Sequence, residues 1–217
     1  KEIELELMVD WTDDFLDPRQ GINFKVNRAS SPRDSNDDPD YHVMNYNIKA
    51  YIPIGSINTL VFNYFQSNAH VTSEGDTDRS SIKDDLGYNC SLIPDSTAKA
   101  ICEAAESEAV DQIYAHNKYG DAQSLGGRRQ LRSYPDDRFV GANTLFYGVE
   151  FRWNLTEEYT PFNLIFIDDV RTGVQLAMFH ETGGVADLKG DVTKDMRSSS
   201  GVGIRIVTGS GIVYRID

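Results

Sequence analysis

Charged residues lie near the middle of segments whose other residues predict β-strands. They are Lys25, Lys49, Glu150, Arg152, Glu181, Arg205 and Arg215. Side chains two residues apart in a strand point to the same face, so these charges share a face with polar neighbours and lie opposite an apolar face. A guanidinium and a carboxylate that meet on such a face form charge-assisted hydrogen bonds. The chemistry that these residues predict is therefore ion pairing in a hydrated interior.

No residue pattern in the chain predicts an enzyme. The sequence contains no Gly-x-Ser-x-Gly motif, no phosphate-binding loop and no set of side chains at metal-ligand spacing. Asp168 and Asp169 are adjacent acids, but they stand in a turn-like stretch, and we interpret them as solvated loop charges. We expect no catalytic residue, no metal site and no cofactor.

The two cysteines, Cys90 and Cys102, lie in one polar stretch of the chain. An even pair in a loop predicts a local disulfide and hence an oxidising compartment. Zinc is the alternative ligand of such a pair, but none of the 4 histidines stands at ligand spacing from it.

The overall charge argues against a general nucleic-acid binder. The chain has a net charge of −13, with acidic clusters at residues 34–40, 74–78 and 84–85, whereas nucleic acid requires a basic surface. No run approaches the ~18 apolar residues of a membrane-spanning helix. Lys1 leads almost directly into a strand with no signal peptide, which suggests a processed or partial chain.

Residues 144–155 show the clearest alternation. The apolar set is Leu145, Tyr147, Val149, Phe151, Trp153 and Leu155, and most residues between them are small, polar or charged. A strand of ~9–11 residues with one apolar face and aromatic residues near its ends is typical of a membrane-spanning β-barrel.

Similar alternation recurs along the chain and predicts an all-β, antiparallel fold of about eight strands. The segments are residues 2–11, 22–27, 42–54, 59–71, 144–155, 174–181, 202–207 and 212–217, with turns such as 17–21 and 208–211. A soluble β-sandwich also alternates and would bury Leu145, Phe151 and Trp153 in its core. Both architectures remain open at this point.

A loop insertion of about residues 72–140 interrupts the strand pattern. Within it we predict a helix at about residues 95–117, with Asp95 or Ser96 as its N-cap and Asn117 or Gly120 at its end. Its small and apolar residues recur at three- and four-residue steps, at Ala98, Ile101, Cys102, Ala105, Ala109 and Ile113. Such a helix could form a lid over the barrel mouth or a surface that contacts a partner.

Residues 125–139 (LGGRRQLRSYPDDRF) precede the strand that contains Glu150. This arrangement resembles the C-terminal barrel of the bacterial surface-antigen superfamily of outer-membrane assembly barrels (BamA/TamA-like), where Gly-Gly leads into an Arg-Gly-Tyr or Arg-Gly-Phe loop and a glutamate-containing strand follows. Residues 17–21 (DPRQG), 179–187 (FHETGGVAD) and 199–217 resemble the family's Pro-x-x-Gly turn, its Phe-x-Asp-x-Gly-x-Val strand end and its penultimate hairpin. The shared order of these motifs carries the resemblance, which covers most of the chain outside the insertion.

The resemblance implies that this loop folds back into the barrel lumen, where Arg132 pairs with Glu150 and Glu181. With Ser133 and Tyr134, these residues form the expected luminal loop lock, a structural rather than a catalytic device. Alternation independently places Glu150 on the polar face of its strand. Breaking a well-desolvated pair of this kind costs about 3–5 kcal/mol.

Three departures from the family pattern bear on this expectation. Ser133 replaces the usual glycine, so we expect a slightly different turn. Glu181 stands where aspartate is usual, which lengthens the reach and keeps the charge. About eight strands of a probable sixteen-strand barrel are present, so residues 1–217 are expected to be the C-terminal portion of an outer-membrane barrel domain that does not close alone.

The function that the resemblance implies is non-enzymatic: insertion or translocation of polypeptides at the bacterial outer membrane. The implied partners are outer-membrane lipid or lipopolysaccharide and client or accessory envelope proteins. The alternative is a pore, receptor or accessory barrel without periplasmic POTRA domains, whose extracellular loop binds a partner. A third possibility, a lipase domain anchored by this barrel, finds no support in the residues present.

Overall fold

Ten β-strands and two α-helices form the described part of the chain, in a computed structural model that covers residues 3–35, 37–156, 162–164, 167–170, 172–208 and 213–217. They are β1 (Ile3–Asp10), β2 (Gly21–Ser31), β3 (Asp40–Ile54), β4 (Asn58–Ser73), α1 (Arg79–Leu86), α2 (Ser96–Tyr119), β5 (Asn143–Asn154), β6 (Phe162–Leu164), β7 (Ile167–Val170), β8 (Thr172–Ala186), β9 (Arg197–Thr208) and β10 (Val213–Ile216). Single 3₁₀ turns occur at Cys90–Leu92 and Lys189–Asp191.

The eight-stranded sheet is an antiparallel meander in the order β1-β2-β3-β4-β5-β8-β9-β10, and β6 pairs with β7 in a separate hairpin. The predicted all-β, antiparallel architecture is therefore confirmed. Within the described residues, β1 and β10 are the two edges and do not pair with each other, so the sheet is not closed. These ranges also contain no second large sheet packed on the first, which a β-sandwich would require.

The observed strands follow the predicted alternation closely in the first half of the chain and extend it in the second. The strand predicted at residues 144–155 is β5, whereas β8 and β9 continue through glycine and serine positions that the pattern did not include. Asp168 and Asp169 lie in β7, not in a turn, because their neighbours Ile167 and Val170 pair with Leu164 and Phe162 of β6. Most of the predicted turn at 208–211 lies outside the described residues.

The two faces of the sheet reverse the usual arrangement of a soluble protein. In β5, Glu150, Arg152 and Asn154 are buried, while Trp153 is 50% exposed and Leu145 and Phe151 are only partly buried. The apolar side chains of the other strands are also exposed; they include Leu5, Leu7, Ile22, Ile48, Ile52, Phe62, Met178, Val202, Ile204 and Ile206. The predicted alternative of Leu145, Phe151 and Trp153 in a compact core is therefore wrong for this chain.

The sheet is curved, with its polar face inside. Glu4 of β1 and Arg215 of β10, at opposite ends of the strand order, line one cavity. Asp17, in the turn between β1 and β2, accepts a hydrogen bond from Gln175 of β8. Both contacts require the two ends of the sheet to bend toward the same side. We call that side the concave face and the opposite side the convex face.

The hydrophobic core lies on the concave face rather than between two layers. Phe65 and Phe146, paired in register on β4 and β5, pack with Leu125 and Leu131 from the segment that precedes β5. Tyr134, Phe139 and Val185 pack around this cluster. Complete burial of one such side chain contributes roughly 1.5–3 kcal/mol, so the cluster holds residues 123–139, called here the inner loop, against the sheet.

The insertion contains the predicted helix and a second one. The sequence predicts a helix at about residues 95–117, and α2 spans Ser96–Tyr119, with the Asp95 side chain accepting from the Ala98 N–H. Gly120 ends the helix by donating its N–H to the carbonyl of His116. The predicted Cys90–Cys102 disulfide is confirmed, and it joins the 3₁₀ turn to the start of α2. No helix within the described ranges is long and apolar enough to cross a membrane.

The buried side of α2 differs from the predicted apolar stripe. Ala98, Ile101 and Ala105 are exposed, whereas Glu106 and Val110 are buried. The cause is α1, which the sequence did not predict: its Lys83 pairs with Glu106 at 2.9 Å, and its Ile82 is buried. α2 therefore packs on α1 through its middle, around Glu106 to Asp111, and approaches the sheet near its end.

Candidate functional site

β5 and β8 place two glutamates diagonally across the concave face. Gly148 lies opposite Glu181 in the register, and Glu150 lies opposite Phe179. Diagonal neighbours on antiparallel strands stand about 7–8 Å apart, a gap that a guanidinium can bridge. Gly148 has no side chain to fill this gap.

Backbone contacts fold the inner loop tightly beneath the sheet. Leu125 and Phe139 exchange two backbone hydrogen bonds of 2.9 Å, and the Gly127 N–H donates to the Tyr134 carbonyl. Gly126 adopts a φ of +120°, where a Cβ would collide with the carbonyl oxygen of Pro135. The Gly-Gly pair of the motif therefore has a steric role: it allows the loop to double back.

The replacement of glycine by Ser133 does not place a side chain at an unfavourable φ. In the described residues, positive φ angles outside glycine occur at Leu131 and Asp137. The positive φ thus belongs to Leu131, the residue before Arg132. Burial of the Leu131 side chain in the core stabilises this conformation. Ser133 instead gains partners: its N–H donates to Ser199 Oγ at 3.0 Å, and the two hydroxyl oxygens are 2.8 Å apart.

Arg132 lies between the two predicted glutamates. Its Nε donates to Glu181 Oε1 at 2.7 Å, its backbone N–H donates to Glu181 Oε2 at 2.9 Å, and its Nη1 donates to Glu150 Oε2 at 2.9 Å. The guanidinium also stacks 3.5 Å from the ring centre of Phe179. Burial alone would lower the pKa of Arg132, but Glu181 and Glu150 raise it above its ordinary value, so the side chain remains cationic.

Tyr134, the remaining member of the predicted lock, makes a weaker polar contact. Its hydroxyl donates to the Ser198 carbonyl at 3.4 Å, while its ring packs edge-on against Phe139 at 5.0 Å. The structure thus brings all five predicted residues to the junction of the inner loop, β5, β8 and β9. Their role as a lock remains a prediction.

The ion pairs extend beyond the predicted set. Arg152 Nε donates to Glu150 Oε1 at 2.8 Å, and its Nη1 lies 3.6 Å from Asp17 Oδ1. Arg205 Nη1 lies 3.7 Å from Glu150 and 3.9 Å from Asp17. Asp217 also accepts from Arg132 at 3.1 Å. We call this set the charge cluster: Asp17, Arg132, Glu150, Arg152, Glu181, Arg205 and Asp217.

Two of these added partners had a signal in the sequence, and two, Asp17 and Asp217, had none. Arg152 and Arg205 belong to the mid-strand charges and lie on the predicted polar faces. Asp17 was interpreted only as part of a turn, yet its side chain is 5% exposed and reaches β8 and β9. Only the curvature of the sheet brings this turn across the concave face.

The charge cluster joins the inner loop, the turn between β1 and β2, and three strands. Its charged groups are mostly engaged with one another, and the described residues contain no group of three or more His, Cys, Asp or Glu side chains that could hold a metal ion. No protein-family model matches this chain, and no curated protein matches it significantly.

Proposed function

We propose that this chain is part of an outer-membrane β-barrel of the assembly-factor type, which assists insertion or translocation of polypeptides. The observation that carries the proposal is the contact of Arg132 with both Glu150 and Glu181. The sequence resemblance implied that contact between a loop and two separate strands. The function is proposed from this combination of motif order and geometry.

The convex face supports a membrane setting. Monomeric soluble proteins rarely expose contiguous apolar patches larger than a few hundred Å². Here exposed apolar side chains occur on strands from β1, with Leu5 at 65%, to β9, with Val202 at 71%. Lipid would cover this face, while water would hydrate the charges of the concave face.

The two sheet edges support a role in strand exchange. In lipid, unpaired backbone N–H and C=O groups cost several kcal/mol each, so β1 and β10 need partner strands. Further strands of a probable sixteen-strand barrel would supply them. In such a barrel a weak seam would admit client strands by edge pairing, and the inner loop would keep the barrel wall in shape.

Quenching by brominated lipid tests the membrane setting. The chain has 2 tryptophans, Trp11 and Trp153, so Trp11→Phe leaves one fluorophore on the convex face. We expect Trp153 emission to be quenched in vesicles whose acyl chains carry bromine. Emission equal to that in unbrominated vesicles would contradict a lipid-facing convex surface.

A client-folding assay tests the function itself. The protein is placed in vesicles, an unfolded small outer-membrane barrel is added, and folded client is followed by its heat-modifiable gel mobility. We expect faster client folding than in protein-free vesicles, and loss of that gain with Arg132→Ala. Arg138→Ala removes an exposed arginine from the same loop and should retain the gain. Equal rates with and without correctly folded protein would refute the assembly function.

A second candidate is a pore, receptor or accessory barrel whose insertion binds a partner. Tyr88, Leu92 and Ile101 favour it, because these apolar side chains are exposed close in sequence to the Cys90–Cys102 disulfide. This candidate predicts unchanged client-folding rates in the assay above. Ion conductance across a planar bilayer would then separate a pore from a receptor.

A further inference from the structure

The middle of the concave face is rich in cations although the whole chain has a net charge of −13. A cavity of about 610 Å³ lies there, and Lys49, Arg129, Arg132, Arg152 and Arg215 contribute to its lining, together with Lys25. Its three carboxylates are already engaged: Glu4 accepts a hydrogen bond from Asn27, and Arg132 and Arg152 bind Glu150 and Glu181. The local charge is therefore opposite to that of the rest of the molecule.

Lys49 and Arg129 are the cations of this cavity that lack a partner. Lys49 projects from β3 and Arg129 from the inner loop, and neither forms an ion pair or a hydrogen bond with the described residues. The charges that act most strongly on Lys49 are those of Arg152 and then Arg129, both cations, followed by Glu150 and Arg215. Glu150 is the one carboxylate among these four charges, and Arg132 and Arg152 already bind it.

Buried donors on the neighbouring arginines also lack hydrogen-bond acceptors. Within the described ranges, Arg152 Nη1 and Arg205 Nε and Nη1 have none, although both side chains are about nine-tenths buried. The carboxylate oxygens around them lie beyond hydrogen-bond distance: Asp17 Oδ1 is 3.6 Å from Arg152 Nη1 and 3.9 Å from Arg205 Nη1, and Glu150 Oε1 is 3.7 Å from Arg205 Nη1. A buried N–H without an acceptor is costly, and an anion would supply one.

The sheet leaves space beside these donors. Asn63 of β4 lies opposite Lys49 in the register, and Gly148 of β5 lies opposite Asn63. All three residues line the cavity, although the ring of Phe146 occupies the space immediately beside Gly148, 3.1 Å from where a Cβ would lie.

We propose that this cavity binds an oxyanion of the phosphate class, held by Lys49, Arg129 and Arg152. A tetrahedral dianion accepts hydrogen bonds from several directions at once, which suits one ammonium and two guanidinium groups placed around a space. The cavity lining contains six cations, the five named above and Lys25, against the three carboxylates Glu4, Glu150 and Glu181, and a dianion would reduce that excess. The proposal concerns a ligand and does not depend on client insertion.

Titration with inorganic phosphate tests the proposed oxyanion site. The full chain in a neutral detergent is titrated with inorganic phosphate and followed by isothermal calorimetry and by the ³¹P linewidth. We expect saturable binding, weakened about tenfold or more by Lys49→Gln or by Arg129→Gln, since each removes one charge-assisted contact. Neither residue has an ion-pair or hydrogen-bond partner in the part of the chain that the structure describes, so circular dichroism should show these variants folded.

Lys25→Gln is the matched control. Lys25 is also a lysine of the concave face, on β2, but it is paired with Glu6 at 2.7 Å. Lys25 also lines the cavity, but Glu6 already neutralises its charge, so the same charge change there should alter phosphate affinity by about twofold or less.

Two separate titrations identify the source of the anion. Binding of free phosphate alone indicates a small ion, whereas binding only of phosphatidic acid in mixed micelles, with phosphatidylcholine as the neutral control, indicates a lipid headgroup. Both outcomes support a phosphate-class site if Lys49→Gln weakens them. No saturable binding of either, preference for a carboxylate-bearing peptide, or equal affinity of the Lys49 and Lys25 variants would overturn the proposal.

Discussion

The two halves of the concave face differ in what covers them. In the covered half, β5, β8 and β9 present Glu150, Glu181 and Ser199, and each contacts the inner loop. In the open half, β1 to β3 present residues such as Asn27 and Lys49 to the cavity. Both halves follow the same polar alternation. Alternation therefore determines which face is polar, and a returning loop determines whether that face is packed.

The difference is clearest in one ion pair from each half. The side chains of Arg132 and Glu181 are 7% and 3% exposed, whereas those of Lys25 and Glu6 are 42% and 37% exposed. A buried pair resists the loss of either partner because the remaining charge has no water to solvate it. An exposed pair exchanges its partner for water at little cost.

Removing one acid from each half should give the largest contrast. Glu181→Ala leaves Arg132 buried without its main partner and should lower the free energy of unfolding by about 3–5 kcal/mol. Glu6→Ala should lower it by about 0–1 kcal/mol. Urea unfolding in detergent micelles measures both. Equal losses would remove the distinction between the halves.

Truncating one apolar side chain in each half should give the next largest difference in the free energy of unfolding. Leu131→Ala empties a fully buried position under the inner loop and should cost about 2–5 kcal/mol. Val43→Ala lies on the open half and is only partly buried, so about 1 kcal/mol or less is expected. The same unfolding measurement applies. A larger loss for Val43→Ala would mean that the open half is packed.

Ser133→Ala should have a smaller effect within the covered half. It removes the hydroxyl contact with Ser199 but keeps the backbone N–H donation, so about 0.5–1.5 kcal/mol should be lost. Ser133→Gly is the informative companion, since it restores the residue usual in the resembled family. A marked gain in stability with glycine would indicate backbone strain at this position, where we expect none.

The smallest effect should be a pH dependence of local stability where α2 meets the border of the open half. His116 packs against Tyr41 of β3, and its Nδ1 lies 2.7 Å from Asp121. The hydrogen bond to Asp121 raises the pKa of His116 above 6.5, against desolvation, which lowers it. The resulting stability is fully present below pH 6.5 and is lost as the pH rises through the raised pKa.

Amide hydrogen exchange near the end of α2 measures this dependence. Protection there should decrease above the raised pKa of His116, by less than about 1 kcal/mol because both side chains are more than a third exposed. His116→Gln should abolish the dependence. A pH dependence that persists in this variant would assign it to another group.

The strands and the contact of Arg132 were accessible to sequence reasoning because they depend on local alternation and motif order. α1 was missed because it is eight residues long and carries little apolar periodicity beyond Ile82. The buried side of α2 was predicted wrongly because α1, the helix on which it packs, was unknown. Asp17 could not be predicted: its contact with Gln175 joins residues 158 positions apart and depends on the curvature of the whole sheet.

The ring of Phe179 beneath Arg132 has a consequence for the conditions in which the inner loop keeps its place. Dissolved ions weaken attraction between charges that they can surround, over a distance of about 8 Å at physiological strength. The ring covers one side of the guanidinium, and Glu181 is almost inaccessible. Electrolyte should therefore loosen Lys25 from Glu6 and leave Arg132 in place, so the inner loop should stay attached over a wide range of salt concentration.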